Sequence, residues 1–197
     1  MPIEFVNAAV DCPLFTDDEI EGGPTVSRQY TNAYCDRFDH MLSSEEALDQ
    51  LFHFGKCVEQ PNTLIRYLEE EDRLVRGIHR LASKPWTLRV QETGFDGNHR
   101  FASFTERERT LIRQSFDSPF ACNDESLAER IFRSGVRELF MVWLYFEEKR
   151  FTIMAFQDVA FGIFLKDASL VPWITRELSK ESLHCKWSDP KIPGSPV

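Results

Sequence analysis

The sequence predicts an α+β fold, about five helices packed on an antiparallel sheet, from three observations. Residues 139–165, LFMVWLYFEEKRFTIMAFQDVAFGIFL, are rich in aromatic and β-branched residues. Phe151, Ile153, Ala155, Val159, Phe161, Ile163 and Leu165 stand at odd-numbered positions there, with Gln157 the exception, as one face of a strand requires. Capped amphipathic stretches recur along the rest of the chain, and Gly94-Phe95-Asp96-Gly97-Asn98 supplies the positive φ values of a hairpin turn. The alternative is a mainly α domain with one small β-hairpin. It draws on the helical spacing of Phe156, Val159, Ala160, Ile163 and Phe164, and on the lack of Gly, Asn or Pro in Glu147-Glu148-Lys149-Arg150.

In chain order, residues 1–42 form an acidic, irregular N-terminal arm. Pro2, Pro13, Gly22, Gly23 and Pro24 interrupt every period, while Phe5, Phe15, Tyr30, Tyr34 and Phe38 give it apolar groups to pack on the body. A globular domain spans 43–187. Ser43 caps a helix with Glu45 and Glu46 in its first turn and Ala47, Leu48, Leu51 and Phe52 as its apolar stripe. Pro61 opens a second helix in which Leu64, Ile65, Leu68, Leu74, Val75, Ile78 and Leu81 keep a helical beat. Glu69, Glu70, Glu71 and Asp72 are expected to face solvent, Asp72 supported by Arg76.

Pro85 ends that helix, and 86–92 and 99–104 pair as strands across the turn. Thr105 with Glu108 makes a capping box before Leu111, Ile112 and Phe116, and Pro119 closes the helix. Asn123 or Asp124 caps a helix from Glu125 to about Ser134, ended by Gly135. The apolar stretch supplies the remaining strands, its charged tetrad serving as a solvated connection. Ser169 caps a last helix from Leu170 to Leu183, and 188–197 is a Pro-rich tail.

An apolar share of 42% with 17 Phe and 4 Trp excludes a disordered chain. Neither apolar block of 139–165 reaches the roughly 18–20 residues of a membrane span. The N-terminus lacks the basic and apolar regions of a secretory signal, so a cytoplasmic or nuclear location is expected. The five cysteines, Cys12, Cys35, Cys57, Cys122 and Cys185, are odd in number and include no C-x-x-C pair, which argues against a disulfide framework or zinc ribbon. His53 and Cys57, four apart on a helix, could meet His184 and Cys185 around a metal. Beside Leu51, Phe52 and Phe54 they read better as packed core, so no metal or cofactor is expected.

Charge is placed unevenly. Residues 1–72 hold 4 Lys/Arg against 16 Asp/Glu, a balance of −12; residues 73–137 hold 12 against 8, or +4; residues 138–197 hold 7 against 8, or −1, which together give the net −9. One reading is attraction between the two halves within the fold. The other gathers Arg100, Arg107, Arg109, Arg113, Arg130, Arg133 and Arg137 on a surface for an anionic partner, since guanidinium forks suit carboxylates and phosphates. A protein partner fits best. An anionic ligand or nucleic acid is the alternative, although overall acidity repels a polyanion away from a focused patch.

Catalytic motifs are lacking: there is no G-x-S-x-G, P-loop, dinucleotide fingerprint or H-E-x-x-H. Asp96 and His99, beside Arg100 in the turn, are the weak candidates for a general base, though turn chemistry already explains Asp96. The expectation is therefore an interaction or regulatory protein, leaning away from catalysis, that binds through its Arg-rich middle or its acidic arm. The competing class is an enzyme acting on a phosphorylated or otherwise anionic substrate with a His base.

Overall fold

Residues 139–165 fold into three consecutive strands, the alternation of the sequence realised as β4 (Met141–Phe146), β5 (Phe151–Phe156) and β6 (Ala160–Leu165). The computed structural model describes residues 30–43, 45–47, 54–82, 85–91, 101, 103–116, 119–156 and 159–188. The other strands are β1 (Thr31–Asp36), β2 (Trp86–Gln91), β3 (Phe120–Cys122) and β7 (His184–Trp187). Among the described residues the helices are α1 (Phe54–Cys57), α2 (Pro61–Leu81), α3 (Glu106–Gln114), α4 (Glu125–Val136) and α5 (Val171–Ser179), and residues 45–47 are helical as well. The seven strands make one sheet in the order β3-β2-β4-β5-β6-β1-β7, every neighbour antiparallel. The fold is thus α+β with a full sheet, larger than a hairpin.

One face of the sheet carries the main core. Leu88, Val90, Val142, Leu144, Phe151, Ile153, Phe161, Ile163 and Leu165 are buried there with Leu74, Ile78, Leu127, Ile131, Phe132, Ile174 and Leu178 of α2, α4 and α5. Gly135 lies inside α4 and does not end it. A Cβ there would sit 2.8 Å from the Ala155 Cβ and 2.9 Å from the Val142 Cβ, so glycine is what lets the helix approach the sheet so closely. The helix stops one residue later, and Glu138 takes the left-handed turn with φ 64°.

Among the even-numbered positions of β5 and β6, Met154, Phe156 and Phe164 carry large apolar side chains too, because the opposite face of the sheet is buried in part as well. Tyr30, Trp143 and Tyr145 are buried there against Met154 and Phe164. Registers Trp143↔Met154 and Thr152↔Phe164 align them in adjacent rows. Burial on both faces explains why this stretch is nearly continuous in apolar residues.

Several helix starts match the sequence. Ser43 and Glu46 exchange the hydrogen bonds of a capping box, Pro61 opens α2, and Thr105 and Glu108 form the complete box of α3. Asp124, of the two candidates, caps α4, accepting from the Leu127 N–H at 3.1 Å. The start of the last helix is different: Asp167, rather than Ser169, accepts from the Ser169 N–H, and a 3-10 turn at Ala168–Leu170 precedes α5.

Four segments depart from the sequence reading, one of them residues 120–122, not expected as a strand, which are β3. Residues 31–36, expected as irregular arm, are β1, lying between β6 and β7. Residues 184–187, adjoining the expected last helix, are β7. The expected strand at 99–104 is not formed over its described residues. Phe101 and Phe104 belong to a tight turn in which the Phe104 N–H donates to the Phe101 carbonyl at 3.0 Å. Both rings are buried. Three residues apart, a strand would send them to opposite faces, whereas a 3-10-like turn sends them to one. Strand β2 pairs instead with β3 and β4.

The connection at 147–150 needs no glycine because Arg150 itself adopts φ 54° after a 3-10 turn. Its lysine is not merely solvated: Lys149 donates to the Leu81 carbonyl at 2.8 Å and lies over the Trp173 ring.

Candidate functional site

The turn at Phe101–Phe104 organises the arginines of α3 and the adjoining part of α4. Arg109 Nε donates to the Phe101 and Phe104 carbonyls at 3.2 and 3.0 Å. The Arg113 guanidinium lies over the Phe101 ring at 4.9 Å, and that of Arg130 over the Phe104 ring at 5.5 Å. Arg130 also grips Glu108 with both terminal nitrogens and donates to the Ser103 carbonyl at 3.1 Å. Arg107 stands exposed on the same helix. Glu106, itself largely exposed, is within 3.5 Å of Arg109 and 3.8 Å of Arg113.

The Arg130 hydrogen bonds, followed by those from Thr105, hold the Glu108 carboxyl below its ordinary value of 4.5. A carboxylate depressed in the folded state contributes stability that is present above its unfolded pKa and lost as pH falls through the folded one. Thermal unfolding followed from pH 7 into the acid range should therefore show a stability loss beginning near the ordinary glutamate value. In Arg130→Met that part of the acid dependence should flatten; an unchanged profile would show that Glu108 does not report on Arg130.

The other two described candidates turn away from this surface. Glu71 of α2 is fully buried, and it accepts from Arg137 through both carboxylate oxygens at 2.6 Å and from Arg133 at 2.8 Å. Burial opposes the Arg133 charge, but hydrogen bonds to Glu71 and Asp72 outweigh it and raise its pKa. Asp72 meets Arg133 at 2.7 Å rather than Arg76, which pairs with Glu181 at 2.8 Å. Glu70 lies 3.0 Å from Arg73 and 3.7 Å from Arg37. Of the four acids expected to face water, Glu69 and Asp72 are exposed, while Glu70 and Glu71 are drawn in by arginines, and α2 is tied to α4 by charge as well as by packing. Arg100, Asp96 and His99 lie outside the described residues, as does His53.

Cys57 is buried in the core. Among the described residues one group of three side chains is close enough to share a cation: His79 of α2 with Glu125 and Glu129 of α4. A His79 ring nitrogen lies 2.7 Å from a Glu129 oxygen, the other 3.5 Å from Glu125, and the ring rests on Trp86 with centroids 4.9 Å apart. These contacts already join α2, α4 and β2. The four-residue spacing of the glutamates is visible in the sequence, but nothing local connects them with His79.

Lys186 and Asp36 form a second buried ion pair, between β7 and β1, with the ammonium also donating to the Phe38 carbonyl at 3.2 Å. No helix among the described residues is long and apolar enough to cross a membrane. Compared with known proteins, the chain matches no family model, no curated protein and no solved structure.

Proposed function

We propose that this protein is a binding module that receives an acidic protein segment on the outer surface of α3 and the adjoining part of α4. The observation that supports it is the fixing of three guanidiniums around one turn: Arg109 by two carbonyls, Arg113 and Arg130 by the Phe101 and Phe104 rings. Side chains held this way lose less freedom when an anion arrives. With Arg107, the patch sets four arginines against Glu106 and Glu108. Arg133 and Arg137 are already committed to Glu71 and add nothing to it.

The test is fluorescence anisotropy of a labelled glutamate-rich peptide titrated with the full chain at low and physiological salt. Binding should weaken as salt rises, and Arg107→Glu with Arg113→Glu should weaken it at least tenfold at low salt, about 1.4 kcal/mol or more. Absence of binding at low salt, or indifference to the charge reversal, would remove the proposal. Preference for a single-stranded oligonucleotide over the peptide would replace the acidic protein segment with nucleic acid as the ligand.

A further inference from the structure

We infer that Cys35 and Cys185 form a site of reversible oxidation, a dithiol that a low-molecular-weight disulfide converts into a bond between β1 and β7. The two residues are 150 apart in sequence yet stand directly opposite one another in the β1–β7 register, with Sγ atoms 2.9 Å apart. Directly opposed residues of antiparallel strands have Cα atoms roughly 4.5–5.5 Å apart. That range falls inside the roughly 4.4–6.8 Å a disulfide spans, so closure asks for side-chain rotation rather than movement of the strands.

The pair is asymmetric in access. Cys35 is fully buried, while Cys185 is partly exposed on the outermost strand. Cys57 and Cys122 are buried apart from it, and burial pushes the Cys122 thiol up to about 11. An incoming reagent therefore meets Cys185 first among the described cysteines.

The chemistry balances in two exchanges. The Cys185 thiolate attacks one sulfur of the small disulfide, whose S–S bond breaks; the released thiolate takes up the proton Cys185 gave off. The Cys35 sulfur then attacks the Cys185 sulfur of the mixed disulfide, and the second small thiol leaves with the Cys35 proton. Two protein thiols are oxidised by two electrons, and one small disulfide is reduced to two thiols. The closed bond fixes β7 to the rest of the sheet and encloses a loop of about 150 residues, the long-loop case in which a crosslink restricts the unfolded chain most.

The experiment treats the full-length protein with oxidised glutathione under native conditions, blocks remaining thiols by alkylation, and maps peptides by mass. The expected product has lost two hydrogens, keeps no glutathione, and links the Cys35 and Cys185 peptides. Its melting temperature should rise by about 5–10 °C and return after reduction. Cys35→Ala should trap glutathione on Cys185, since the resolving sulfur is gone. Wild-type protein that retains glutathione on Cys185, links Cys185 to Cys12, or leaves both thiols open to alkylation overturns the inference, whether or not the variant folds.

Discussion

Replacing Glu71 by alanine should destabilise the fold by about 3–5 kcal/mol, measured by urea or guanidinium unfolding. The carboxylate is fully buried and is the shared counter-charge of Arg133 and Arg137. Its loss removes the counter-charge of Arg137, whose guanidinium lies over the Phe54 ring at 4.9 Å, and one of the two acids on Arg133, while both arginines stay largely buried, at 27% and 21% side-chain exposure. The size of the effect reflects largely buried guanidinium charge left under-compensated, not the net worth of the ion pair. The triple variant Glu71→Leu, Arg133→Met, Arg137→Met should accordingly lose less stability than Glu71→Ala alone. A single variant within about 1 kcal/mol of wild type would mean that water reaches the arginines readily and that the site is not closed.

Trp143→Ala should cost a similar ~3–5 kcal/mol, for a different reason. The indole is 7% exposed on the face of the sheet away from the helices, packed on Phe164 with ring centroids 6.1 Å apart and opposed in register by Arg89 and Met154. Two residues earlier on the same strand and face, Met141 is 39% exposed, and Met141→Ala should stay within about 0.5 kcal/mol. The contrast marks where burial of the second face stops. If both substitutions prove mild, that face contributes little and the fold rests on the helix-covered side alone. Native-state hydrogen exchange provides the same check without mutation: amides of β4, β5 and β6, in the middle of the sheet, should be the slowest among the described residues.

What the sequence disclosed follows from how local each signal is. Strands β4 to β6 were legible because burial on both faces leaves a dense apolar pattern, and the helix starts because Ser43, Pro61, Thr105 and Asp124 act within four residues of themselves. Strands β1, β3 and β7 were not, since only Ala33 and Cys35, Phe120 and Cys122, Cys185 and Trp187 face the core, and their partners are distant in sequence. Glu71 could have been found. It falls four residues after Tyr67 and three before Leu74, on the same stripe as Val75 and Ile78, where a solvated acid does not belong. The split of the arginines between α3 and Glu71 was illegible from charge counts, which register how many cations a segment holds and not which way they turn. The Cys35–Cys185 contact has no local signature at all.

The length of the outer strands sets how the sheet meets other chains. At its ends stand β3 with three residues and β7 with four, while the six-residue strands lie inside. Short borders offer little open ladder for a foreign strand to extend. On the β7 side this protection is thin, because removing four residues would expose the longer row of β1, with the amide and carbonyl groups of Asn32, Tyr34 and Asp36 left without their ladder partners. A strand of that length is the kind of template on which a second copy can dock and from which β-aggregates grow. Resistance to self-association on that side therefore depends on how firmly β7 is held by its ladder bonds, by Lys186 on Asp36, and by the Trp187 indole donating to the Thr175 hydroxyl at 3.0 Å.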